Sequence, residues 1–145
     1  MPTVQALLDR KGSDVHAIGP QASVLDAAQL MNRKGIGGLL VLGELGQLVG
    51  IFTERDILRR VVAAGLDAAR TRVGDVATPD VATVQVNTSV EECSAIMSSR
   101  RIRHLPVMEG DRLKGVVTSG DVLAYRVAES EATIEHMSHY LYDTR

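Results

Sequence analysis

GQLVGIFTERDIL (residues 46–58) and DRLKGVVTSGDVL (residues 111–123) are two readings of one pattern. Gly50 falls on Gly115, Thr53 on Thr118, Asp56 on Asp121 and Leu58 on Leu123, all at one offset. Upstream, SVLDAAQLM (residues 23–31) falls on SVEECSAIM (residues 89–97), and IGGLLVL (residues 36–42) on IRHLPVM (residues 102–108), at an offset one residue longer. The difference is a residue lost from the second turn, where Glu109-Gly110-Asp111 replaces Gly43-Glu44-Leu45-Gly46. Matched order and spacing over this length mark a duplicated structural unit.

Each copy reads as β-α-β-β-α. A short strand around Val15–Ile18, or Ala82–Val86, leads into a turn at Gly19-Pro20 or Asn87-Thr88. Ser23 and Ser89 stand as N-caps, and Ser89 with Glu92 matches a capping box. Val24, Ala27, Ala28, Leu30 and Met31 give the first helix an apolar face, repeated by Val90, Cys93, Ile96 and Met97. Leu39–Leu42 with Leu48–Phe52, and Leu105–Met108 with Leu113–Val117, are expected to form hairpins, followed by helices starting near Glu54 and Ser119. Apolar segments at Val4–Leu8 and Val73–Ala77 are expected to form helical turns strapping each unit to its neighbour. A three-stranded sheet with two helices leaves one face uncovered, so the fold class expected is α/β (α+β) with two such units packed sheet to sheet. The chain divides on this reading into residues 1–66, a linker at 67–72, residues 73–127, and a helical extension at 128–145.

Bulk composition limits the functions open to this chain. Apolar residues make up 45% of 145, enough for a core, and with aromatics at 3% that core must be aliphatic. Sixteen basic against 18 acidic residues give no broad nucleic-acid or membrane surface. No apolar run reaches the roughly 20 residues of a membrane helix, and Gln5 and Asp9 interrupt the start of the chain where a signal peptide would be continuously apolar. One cysteine allows no internal disulfide. A soluble cytoplasmic protein is the expectation.

Thr53-Glu54-Arg55-Asp56 and Thr118-Ser119-Gly120-Asp121 are the residues best suited to chemistry. Each opens a helix at the end of a strand, where unpaired N–H groups favour phosphate. The carboxylate one turn in can accept from a ribose diol, and the threonine hydroxyl can reach a sugar or phosphate oxygen. The competing reading is a plain capping box, in which the carboxylate serves only the backbone at the helix start. No Ser-His-Asp order, phosphate-binding P-loop or paired-cysteine site is present, so no catalytic residue or catalytic cofactor is assigned. His136 and His139, at i and i+3, lack a visible third ligand and read as surface residues, with no metal site assigned. Cys93, on an apolar helix face, reads as core.

These residues carry a resemblance. GIFTERD (residues 50–56), GVVTSGD (residues 115–121) and IRHLPV (residues 102–107) resemble the CBS domain, and the pair resembles a Bateman module over nearly the whole chain. The resemblance implies units related by a pseudo-twofold axis, non-catalytic, and binding AMP or another adenine nucleotide (ADP, ATP or an NAD-type dinucleotide), or S-adenosylmethionine, in two clefts. One cleft would take Thr53, Arg55 and Asp56, with Val81, Ala82 and Thr83 and the segment Ile102, Arg103 and His104. The other would take Thr118, Ser119 and Asp121, with Val15, His16 and Ile18 and the segment Ile36, Gly37 and Gly38. Arg55, Arg103 and His104 would make the first basic, so phosphate affinity is expected there; alternatively Arg100, Arg101 and Arg103 form a solvated surface. The resemblance further implies regulation of a partner protein in trans and a homodimer. Helices carrying Ile57, Leu58, Val61 and Val62, and Val122, Leu123 and Val127, would meet a second copy, together with the stripe Ile134, Met137 and Leu141, which could instead fold back on the same chain.

Overall fold

A computed structural model describes the backbone of residues 2–143 and the side chains as far as residue 138. The chain forms two compact units, residues 14–83 and residues 1–13 with 84–145. Each is a three-stranded sheet with helices, so the architecture is mixed α and β, built twice from the same plan.

In the unit of residues 14–83, strand β1 (Ala17–Ile18) runs parallel to β2 (Gly38–Leu42), which pairs antiparallel with β3 (Leu48–Thr53). The first strand is shorter than expected: His16 lies outside it, although its carbonyl still accepts the Leu40 N–H at 3.0 Å. Helix α2 (Val24–Lys34) starts where the Ser23 hydroxyl accepts the Asp26 N–H and stops at Gly35, whose left-handed φ of 64° an L-residue adopts only at a cost. Its apolar face meets the sheet. Val24, Ala27, Met31, Leu39, Val41 and Phe52 form one core cluster with Val61, Val73 and Val76.

The last two belong to a short helix α4 (Val73–Val76), which docks on this unit through Val73 N–H to Ala22 O and Gly74 N–H to Pro20 O, at 2.8 and 2.9 Å. Beyond it the chain reaches β3, where Thr78 and Ile51 exchange both backbone hydrogen bonds at 2.9 Å. That approach depends on Gly50, because a Cβ there would stand 2.8 Å from the Thr78 carbonyl oxygen. Between β3 and α4 the chain passes through a helical turn α3 (Glu54–Asp56) and continues as a wider π-helical stretch, Ile57–Val62.

The second unit repeats the plan. Strand β4 (Val84–Gln85) is parallel to β5 (His104–Glu109), which pairs antiparallel with β6 (Arg112–Thr118). Both hairpins shift register at corresponding places, between Val41 and Leu42 and between Val107 and Met108. Helix α5 (Val90–Arg100) is capped by Ser89, but only half of the expected capping box forms, the Glu92 N–H donating to the Ser89 hydroxyl at 3.0 Å. Arg101 takes the left-handed position, φ 55°, that Gly35 fills in the other unit. Cys93 is fully buried on this helix; desolvation, and secondarily Glu92, push its thiol up to about 11.

The strap of this unit comes from the other end of the chain. Helix α1 (Val4–Lys11) donates Val4 N–H to Thr88 O and Gln5 N–H to Val86 O, at 2.8 and 3.0 Å. Leu8 packs over Gly115, the counterpart of Gly50. Sequence order therefore differs from spatial grouping: Val4–Leu8 joins the later repeat and Val73–Ala77 the earlier one. Helix α6 (Ser119–Asp143) closes the unit and extends well beyond the repeat.

Adding a methyl at Gly50 should show how tightly its strap is held. Gly50→Ala is expected to cost about 1–3 kcal/mol by urea denaturation, since backbone and not a flexible side chain must give way. Gly19→Ala, with nothing within 4 Å of its added Cβ, should stay within about 0.5 kcal/mol of the parent.

Candidate functional site

Both Thr-x-x-Asp turns are complete capping boxes. At the first, the Asp56 N–H donates to Thr53 Oγ1 at 3.4 Å, and the Thr53 N–H donates back to Asp56 Oδ2 at 3.0 Å. At the second, the Asp121 N–H donates to Thr118 Oγ1 at 3.1 Å and the Thr118 N–H to Asp121 Oδ2 at 2.8 Å. The capping reading is thus realised in the geometry, and each aspartate serves the start of its helix.

The carboxylates differ in what else holds them. Asp56 Oδ2 also accepts the Thr53 hydroxyl at 3.3 Å, Oδ1 accepts the Thr78 hydroxyl at 3.2 Å, and Arg60 Nε stands 3.8 Å from Oδ1. Arg60 is itself tied to the strap, donating to the carbonyls of Val76 and Ala77 at 3.4 and 3.3 Å. Both oxygens of Asp56 are therefore engaged, and its side chain is 11% exposed. Asp121 meets a cation instead. Lys11, the last residue of α1, places Nζ 2.5 Å from Oδ2 and 2.7 Å from the Val116 carbonyl oxygen. All the contacts to the Asp121 carboxylate fall on Oδ2, leaving Oδ1 without a partner among the described residues, and the side chain is 23% exposed.

Within its own unit, each turn adjoins the entry to the middle strand. Gly38 pairs with Thr53, and the Glu54 N–H donates to Gly37 O at 3.0 Å. The Glu54 side chain folds over Gly37, where a Cβ would stand 2.5 Å from its Oε1. In the other unit His104 pairs with Thr118, and the Ser119 N–H donates to Arg103 O at 3.0 Å. So Gly37 and Gly38 neighbour the Thr53 turn, whereas Arg103 and His104 neighbour the Thr118 turn.

The remaining candidates are less distinctive. Ile18 and Ile36 pack against the core cluster, Val15 is half-buried and His16 exposed. Val81, Ala82 and Thr83 form an irregular segment before β4, and Ile102 is half-buried in the turn before β5. Arg55 is exposed and has an interaction partner, as does His104. Sequence reading passed over Thr78, Arg60 and Lys11. Thr78 and Lys11 each lie just beyond or at the end of a strap segment, but nothing local to them announces contact with an aspartate distant in sequence.

Among the described residues there is no cluster of three or more His, Cys, Asp or Glu that could hold a metal ion, and no helix is long and apolar enough to cross a membrane. His136 is exposed, while His139 and Leu141 have side chains outside the described residues.

Replacing Asp56 should destabilise the fold more than replacing Asp121. Asp56→Asn presents an amide donor where two hydroxyls and an N–H already point, and is expected to cost about 1–3 kcal/mol. Asp121→Asn, more exposed and with water to compensate, should cost less; equal losses in urea denaturation would contradict the difference in burial.

The sequence profile of the CBS domain matches residues 10–63 and 73–128. The chain is 35% identical over 123 residues to the CBS domain-containing protein CBSX3, mitochondrial, of Arabidopsis thaliana, covering 82% of this chain and 60% of that protein. A putative signal-transduction protein with CBS domains from Burkholderia ambifaria MC40-6 superimposes with a TM-score of 0.83 at 37% identity, over 87% of this chain and 94% of the other. CBSX2, solved in complex with AMP, superimposes with a TM-score of 0.74 at 25% identity, over 90% of this chain and 99% of that one. With both repeats matched in the order and spacing that the sequence shows, the chain belongs to the CBS-domain family as a tandem pair.

Proposed function

We propose that this CBS pair is a non-catalytic regulatory module that binds an adenine nucleotide and acts on a separate partner protein. AMP is the first candidate ligand, followed by ADP, ATP and NAD-type dinucleotides. The observation that carries the reading is the recurrence of one device in both units: a threonine closing a hairpin strand, with a carboxylate one turn into the helix that follows. A threonine hydroxyl and a carboxylate at that spacing suit the sugar and phosphate of a nucleotide. The likeness to a chain solved with AMP supports the ligand class. Regulation would follow if the nucleotide binds one conformation of the module better than another, since only differential affinity shifts a population.

A second reading, an interaction module whose Thr-x-x-Asp turns act only as caps, is favoured at Asp56 by the full engagement of its two oxygens. It predicts no nucleotide affinity. A thermal-shift screen of AMP, ADP, ATP, NAD, NADH and S-adenosylmethionine separates the two. At about 100 times the dissociation constant, a bound nucleotide should stabilise the fold by roughly 2.7 kcal/mol. A flat response to all six compounds would leave the capping reading standing and the nucleotide reading refuted.

The same proposal includes a homodimer. Leu123, Val127, Ile134 and Met137 recur along α6 at spacings of three, four or seven and are each exposed, as are Leu58 and Val62 on the π-helical stretch, whereas Val61 and Val122, expected on the same face, are buried and Ile57 packs against the core. Apolar side chains repeated along one helix face suit burial against a partner. Light scattering behind a sizing column should give twice the chain mass, and Ile134→Glu with Met137→Glu should return the monomer. A monomeric parent protein would rule this out.

A further inference from the structure

The contrast between the two aspartates points to a residue that the Thr-x-x-Asp pattern does not contain. Lys11 lies outside both duplicated stretches, yet the packing of α1 brings its ammonium onto Asp121 and the Val116 carbonyl. Those two contacts use two of its three N–H donors. Its side chain is 28% exposed, and the third donor has no partner among the described residues. Beside it, Asp121 Oδ1 has no partner among the described residues.

The surroundings add to the contrast. The Thr118 turn is hydrogen-bonded to the backbone of Arg103, an exposed cation, and carries Ser119 where the Thr53 turn carries Glu54. At the Thr53 turn the nearest strand entry is a pair of glycines, the first of them overlaid by the Glu54 carboxylate. Glu54 is offset there by Arg55 and by Arg60, 3.8 Å from Asp56 Oδ1, whereas the Thr118 turn has Ser119 in place of that acid and takes its cation from Lys11.

We propose that Lys11 is a ligand-contacting, specificity-determining residue of the Thr118–Asp121 turn, and that this turn holds a nucleotide more tightly than Thr53–Asp56. The inference rests on the nucleotide-binding reading above. Asp121 Oδ1 accepts a ribose hydroxyl while the Lys11 ammonium donates to an oxygen of the same ribose-phosphate. The corresponding strap in the other unit supplies only the neutral hydroxyl of Thr78 to its aspartate. The two turns therefore offer a nucleotide different chemistry despite their shared pattern.

Amide resonances report each turn separately, so titration followed by 15N-correlated NMR is the appropriate test. AMP and adenosine would be added to the parent chain, to Lys11→Met and to Lys11→Arg. The expected result is saturable AMP shifts at Ser119, Gly120 and Asp121, weakened about tenfold in Lys11→Met and largely recovered in Lys11→Arg. An unchanged adenosine affinity in Lys11→Met would assign the contact to phosphate; a parallel fall would assign it to the sugar, and either supports the role. AMP affinity unaltered by Lys11→Met, or AMP shifts stronger at Thr53–Asp56 than here, would overturn the inference and leave the nucleotide reading intact. No saturable shift anywhere in the parent chain would overturn both. Unchanged amide dispersion in the variants would establish that they remain folded.

Discussion

A helix that begins at the end of a strand leaves its first backbone N–H groups without partners, and in this protein the pairs Thr53–Asp56 and Thr118–Asp121 meet that demand. Each carboxylate returns to the threonine N–H at the strand end while the threonine hydroxyl takes the aspartate N–H. The reciprocal pair fixes the angle at which sheet becomes helix. It also holds the carboxylate beside the middle strand of its own sheet, because the same turn bonds to Gly37 in one unit and Arg103 in the other. Hairpin, helix and candidate ligand groups are thus positioned by one local constraint.

The straps build on that constraint from outside. Each crosses a glycine on the strand leading to the turn: Thr78 over Gly50, and Leu8 over Gly115. Without a Cβ at those positions, another segment can lie against the strand, and a side chain of that segment, Thr78 in one unit and Lys11 in the other, reaches the aspartate. In one unit that group is a hydroxyl, in the other an ammonium. A buried carboxylate saturated by neutral donors and an arginine is chiefly a structural element. A more exposed one, with an oxygen and an ammonium proton in reserve, keeps capacity for a ligand. Duplication has preserved the scaffold while the strap residue sets its chemistry.

The electrostatic difference between the turns follows from neighbours rather than from the motif. Arg103 and His104 sit by chain connectivity at the start of β5, which is hydrogen-bonded to the Thr118 end of β6. Gly37 and Gly38 occupy the matching place by the Thr53 end of β3, where Glu54 lies over Gly37. The arginine at the left-handed end of α5, where α2 has Gly35, belongs to the same substitution of charge for glycine. It places a side chain where conformational freedom would favour none.

The duplicated unit is legible in the amino-acid order alone, because strand alternation, helix caps and glycine turns are local signals that recur with the repeat. Ser23, Ser89, both hairpins and the buried position of Cys93 were all legible that way. The same order shows the Thr-x-x-Asp turns, and leaves open whether they cap or bind. The ends of the first strands were not legible, since Val15 and His16 have strand-like composition but β1 is held only where Ala17 and Ile18 meet β2. Which strap serves which unit is set by long-range packing: Val4–Leu8 joins the later repeat, though nothing in its local pattern says so. The same packing decides that Thr78 and Arg60 meet Asp56 while Lys11 meets Asp121. Contacts between residues far apart along the chain are chosen by packing and register, and a one-dimensional pattern carries neither.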